Sequence, residues 1–425
     1  MTDPTARTEQ EWERRRVLKA LGADSSERDE LLAYNANRFS WETAPSEIVL
    51  PLAAEPAVAA WSAYEREARE AGAFAVLREK LVQLHFPIRA GISKSREYRA
   101  ATRRGVSPED GGSATGLALE QPNRIELMVH PTAAGPIPLI VAEHRTDFAA
   151  LVQALSWRNE PVDVPAAQGA CVIGGLVNWD RVKTYRRRWE RDHPRAHDGE
   201  WSLEFGRLAG RKELYQDRLI LLSTTPYSAV PAQELALDDD RWRELSLILR
   251  REHECAHYFT RRVLGHMANN ALDELIADYA GIHAAAGDYR VDWFLRFVGL
   301  ENPASDTSSG GPDESAAGRC GQQPLRRHRA GARLEIYRAD PPLSDRAFGL
   351  LGMLLRSAAN NLALVSAELD RDLVATPPPK RRVLMIAALS RLTLELIAEE
   401  HDGAARLHDE LGVVRRRIRF REASV

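Results

Sequence analysis

Two helical segments in immediate succession constrain this chain more than any other feature. Residues from about Asp240 to Leu264 place apolar side chains at helical spacing. They open on the aspartates 238–240, whose charges suit the positive end of a helix dipole, and they stop at Gly265, a residue suited to the left-handed position beyond a helix end. A second helix is expected from Asn270, whose side chain can cap it, to near Gly287. With only residues 265–269 between them, the two helices are neighbours in the fold.

The remainder is also rich in helix. Helical spacing marks Glu9 to Leu21, Ser26 to Asn35, Ala57 to Leu84, Thr146 to Ser156 and 179–192, then about 344–370 and 379–400 on either side of Pro377–Pro379. Residues 124–130 and 136–143 flank a Pro/Gly turn and read as a hairpin whose second arm, carrying Pro138, is expected at a sheet edge. Arg218 to Thr225 is the best strand candidate. The class implied is α+β, predominantly α-helical, with a small antiparallel sheet. A consecutive division is expected: a helical lobe over 1–120, a metal-binding core over 121–300, a disordered loop over 301–330 whose polar composition has little to bury, and a helical lobe over 331–425.

Composition excludes some classes of function. Lysine and arginine number 58 against 61 acidic residues, so no global field favours nucleic acid or an anionic membrane. The first 16 residues are dense in charge, and no uncharged apolar run approaches the ~20 residues that span a bilayer. The three cysteines, Cys171, Cys255 and Cys320, form no CxxC pair. A cytoplasmic protein is expected, and any metal in it must be held by histidine and carboxylate. Nothing in the sequence fixes an oligomeric state.

The first helix of the pair contains Arg251-Glu-His-Glu-Cys-Ala-His257, an HExxH motif. Residues four apart share a helical face, so His253 and His257 can direct ring nitrogens at one ion, with Glu254 beside them in reach of a water that the metal polarises. Catalytic zinc takes three protein ligands and keeps a fourth position open. The following helix offers Asp273-Glu-Leu-Ile-Ala-Asp278, from which Glu274 is the expected third ligand; Asp278, one turn on, is placed to accept a hydrogen bond from a ligand histidine. Asp278 and His266 are the alternatives for the third ligand, and Asp273 fits a capping role.

This pattern resembles the gluzincin group of metallopeptidases, in which HExxH is followed on a later helix by a ligand glutamate within ExxxD. Here that element is Glu274-Leu-Ile-Ala-Asp278, and the resemblance extends over about 218–286. It implies a zincin-like core, Zn2+ as cofactor, a peptide or small-molecule amide as substrate, Glu254 as general base, and 218–225 as the edge strand along which substrate lies. The metzincin pattern is excluded because Thr260 and Val263 stand where its glycine and third histidine would be.

Candidate donors to a tetrahedral oxyanion are Tyr258, His266, Tyr227, Tyr279 and His283. Tyr227 and His266 rank first because they sit in loops adjoining the strand and the metal helix, whereas His283 lies about 180° from Glu274 on its helix and suits a structural role. Cys255 falls roughly 200° around the helix from the histidines and belongs to the core. The arginines of 181–191 and 326–333 read as solvated faces. Two rival functions use the same residues: a metal-dependent tailoring step on a small natural product, and a non-catalytic regulatory zincin domain.

Overall fold

The computed structural model describes residues 4–41, 43–106, 116–267, 270–301, 333–338 and 342–421. The chain runs α1 (Pro4–Ala20), α2 (Ser25–Tyr34), β1 (Ile48–Leu50), α3 (Val58–Ala71), α4 (Ala73–Lys80), α5 (Arg96–Arg104), β2 (Ile125–His130), β3 (Ile137–Ala142), α6 (Arg145–Ser156), β4 (Ala170–Val177), α7 (Trp179–Asp192), α8 (Asp198–Ala209) and β5 (Gln216–Ser223). It continues with α9 (Asp239–Leu264), α10 (Ala271–Ala286), α11 (Val291–Val298), α12 (Asp345–Asp372), α13 (Pro378–Leu389), α14 (Leu394–Ala398), α15 (Gly403–Arg417) and β6 (Ile418–Phe420). The protein is predominantly helical with small sheets, as expected. The long helix anticipated from Ala57 to Leu84 is broken at Gly72, whose φ of 86° no helix accommodates.

Two compact units divide the chain: Met1–Ile48 with Phe259–Arg419, and Val49–Tyr258 with Phe420–Val425. These are not the consecutive lobes expected from the sequence. The reason is long-range pairing: α1 packs on α14 and α2 on α12. Buried Arg14 donates to Glu395 at 3.0–3.1 Å and to the Leu32 carbonyl, and Asn35 donates to Glu395 as well. The segment read as a disordered loop lies, from residue 302, outside the described residues.

The unit formed by Val49–Tyr258 is built on a four-stranded sheet of order β2-β3-β5-β4. β2 and β3 form the anticipated hairpin, in register from Ile125 with Ala142 to His130 with Ile137. The sheet is mixed rather than antiparallel, because β3 and β5 pair in parallel; the long connection this requires carries α6 to α8. Neither β3 nor β5 is an edge. Pro138 is tolerated in an interior strand because the pairing of β3 with β5 begins at Leu139, one residue later. Leu219 and Leu221 of β5 join the core with Trp61, Leu77, Phe148 and Leu151, while Ile220 and Leu222 on its opposite face are equally buried. Such a two-sided apolar run is the signature of a central strand. The edge on that side is β4, whose ladder is interrupted by a bulge between Gly174 and Leu176.

In the other unit α12 packs against α2, α11, α13, α14 and α15. It is the one described helix long and apolar enough to cross a membrane, and 56% of its apolar window is buried inside the protein.

Candidate metal centre

Helix α9 carries both motif histidines. Their rings meet edge to face with centroids 4.7 Å apart, and the two Nε2 atoms face each other at 3.1 Å. Ligand nitrogens sharing a tetrahedral zinc at about 2.05 Å lie about 3.3 Å from each other, so this separation suits a common ion. On the far side of His253, Tyr227 Oη lies 3.0 Å from Nδ1. With Nδ1 protonated and donating to that hydroxyl, Nε2 keeps its lone pair for a metal. Tyr227 is among the sequence candidates for an oxyanion donor; the structure puts its hydroxyl on Nδ1 of His253, whose Nε2 faces His257.

The loop after β5 determines this. Arg250, buried one turn before the motif, donates to the carbonyls of Ser223 at 3.1 Å and Pro226 at 2.8 Å and to that of Thr225, and its guanidinium stacks over the Tyr227 ring. The Tyr227 backbone N–H donates to Ser246 Oγ of α9 at 3.0 Å. Directly beyond, Ser228 and Ala229 adopt left-handed backbone with φ of 51° and 55°, a strain that persists where surrounding contacts fix the chain.

Helix α10 begins as the sequence indicates, with the Asn270 side chain accepting from the Asp273 N–H at 3.1 Å. Glu274 and Asp278, one turn apart, are both buried. One guanidinium joins them: Arg333 Nη2 donates to Glu274 Oε2 at 2.5 Å and to Asp278 Oδ1 at 3.1 Å. Arg333 opens a short 3-10 turn, Arg333–Tyr337, which Tyr34 of α2 fastens to α10. The Tyr34 hydroxyl donates to the Tyr337 carbonyl at 2.7 Å and accepts from the Ala271 N–H at 3.1 Å. Burial raises the Tyr34 hydroxyl to a pKa of about 12 and pushes that of Tyr337 well above its usual range.

His253, His257 and Glu274 each offer one donor atom to a group in which no two of those atoms are more than 4.8 Å apart, and all three residues are buried. Two imidazoles and a carboxylate form a borderline donor set that suits zinc. Glu254 is 9% exposed. On edge strand β4, burial raises the Cys171 thiol pKa, a hydrogen bond with Ser156 opposes that rise, and the charge of Glu254 adds to it. Cys255, the other described cysteine, is core as expected.

A protein-family model matches residues 16–311 and 320–401, most of the chain. The chain belongs to the family of unknown function DUF7005. No curated protein and no solved structure matches it. The gap in the match, 312–319, falls within the polar stretch 302–319 of this DUF7005 member.

The other candidates are placed as follows. His266 follows Gly265, at φ 71°, and its Nδ1 is buried with no hydrogen-bond partner among the described residues. Tyr258 donates to Glu55 at 3.2 Å beneath the Arg218 guanidinium. Tyr279 is buried beside His283, with ring centroids 5.6 Å apart. His283 Nε2 pairs with Asp370 at 3.0 Å, and burial holds its imidazole below the usual range, which fits a structural role. Arg181 is buried on Asp217 rather than solvated. Arg333, read from the sequence as part of a solvated face, likewise has its side chain buried, on Glu274 and Asp278, and neither it nor Arg250 is distinguished by its local pattern from a surface arginine.

The Arg250 anchor gives one expected result. A Cβ at Gly169 would come 2.5 Å from Arg250 Cζ, and the hydrogen bonds of that buried guanidinium leave it little room to yield. Gly169→Ala is expected to lower stability by about 1–3 kcal/mol, as overpacking does, measured by urea unfolding. An unchanged midpoint would show that the anchor is soft.

Proposed function

We propose that this chain is a zinc-dependent hydrolase with a zincin-like core that cleaves an amide or peptide bond. The observation that carries the reading is the convergence of His253, His257 and Glu274. When bound, zinc supplies Lewis acidity toward a carbonyl and toward water. Glu254 takes a proton from the attacking water, and the water oxygen bonds to the carbonyl carbon. Glu254 then delivers that proton to the departing nitrogen as the C–N bond breaks. Tyr227 keeps His253 in the tautomer and orientation that present Nε2. Asp278 is retained as a supporting carboxylate, its Oδ1 engaged by Arg333.

The strand beside which an extended substrate would lie is β4 rather than 218–225, because β5 is paired on both sides. Gly169, which immediately precedes β4, lies against Arg250 just before the motif, which supports that assignment.

The test is metal analysis joined to an activity screen. The purified protein is expected to hold one zinc per chain and to hydrolyse amides in an assay that chelation abolishes and added zinc restores. Failure to retain metal, or activity indifferent to chelation, would overturn the reading. Hydrolysis of small amides with inertness toward peptides would assign the substrate to the small-molecule class.

A further inference from the structure

The Arg333 contact lies outside the HExxH and ExxxD pattern. A single guanidinium whose side chain is 8% exposed spans two carboxylates one helical turn apart, one of them the expected metal ligand. Its own position is set independently of them: Tyr34 ties the 3-10 turn carrying Arg333 to the first residue of α10, and the guanidinium lies 5.9 Å from the centre of the Tyr337 ring. Three elements, α2, α10 and the 3-10 turn, therefore hold the group that holds Glu274.

Resting on the zinc reading, we infer that Arg333 is a positioning residue that organises Glu274 for metal binding. Two effects of the arginine oppose each other. A cation near the site repels a divalent ion, whereas a guanidinium itself held in place fixes, through Nη2, the glutamate side chain, whose rotamer freedom would otherwise be lost on ligation. Asp278 decides between them. Its carboxylate accepts from the same Nη2, so the charges of Arg333 and Asp278 largely cancel and Glu274 still meets the ion as an anion. Repulsion is thus reduced while the orienting effect remains.

The test measures zinc affinity and the visible absorption of the cobalt(II)-substituted protein for the parent, Arg333→Ala and Arg333→Lys, with circular dichroism to establish that each is folded. Arg333→Ala is expected to bind zinc about 10- to 100-fold more weakly, the range for removing a group that orients a metal ligand, and to shift the cobalt d–d bands. Arg333→Lys, which keeps the charge on a more mobile stem but loses the planar group beside the Tyr337 ring, is expected to fall between that variant and the parent. If Arg333→Ala does not fold, the lysine variant carries the test, since weakened binding with intact fold supports the inference. Parent-like or tighter zinc binding in the folded variants overturns this inference alone. A parent protein that binds no zinc overturns the metal reading and this inference with it.

Discussion

Glu254→Gln is expected to bind zinc as the parent does and to hydrolyse substrate on the order of 10³-fold more slowly, within the range for loss of a general base. Glutamine matches the shape of glutamate but its amide cannot take up the proton of an attacking water. Glu254 itself is not in the converging donor group, so the substitution leaves all three donors in place. Steady-state rates with zinc content measured on the same preparation separate the two effects. A variant that retains zinc and turns over at the parent rate excludes Glu254 as the base, and with it the hydrolase mechanism. That result would favour a regulatory zinc-binding domain.

The second large effect is on the metal. His253→Ala and Glu274→Ala each delete one of the three donors, and binding free energies for protein zinc sites are about 10–16 kcal/mol, so an even share is about 3–5 kcal/mol. Each variant is expected to bind zinc on the order of 10³-fold more weakly, measured by competition with a chelating dye. Full retention in Glu274→Ala would move the third ligand to Asp278 or His266. The histidine variant controls for that outcome, because Tyr227 fixes His253 on a helix with no substitute imidazole or carboxylate one turn nearer the amino terminus.

How much of this was legible in the sequence depends on the range of the interactions involved. Helices α9 and α10 and the Asn270 cap follow from spacing over a few residues, and the structure bears out those elements. The hairpin of β2 and β3 is equally local. Strand order is not, since β5 reaches β3 only after more than seventy intervening residues, and its continuous apolar run marks burial on both faces without naming its partners. The edge strand β4 was hidden by Gly174 and Gly175, which weaken a strand signal at the position where the ladder bulges. The place of Tyr227 depends on three carbonyls that Arg250 gathers, and that of Arg333 on a tyrosine some three hundred residues away. No local pattern encodes either.

The pairing of Arg14 with Glu395 has a consequence for biosynthesis. A chain emerging from the ribosome presents α1 and α2 long before α12 and α14 exist, so the buried arginine and the apolar faces beside it must wait for almost the whole protein to be made. The unit beginning at Val49 has nearly all of its residues in hand by Tyr258 and can consolidate first.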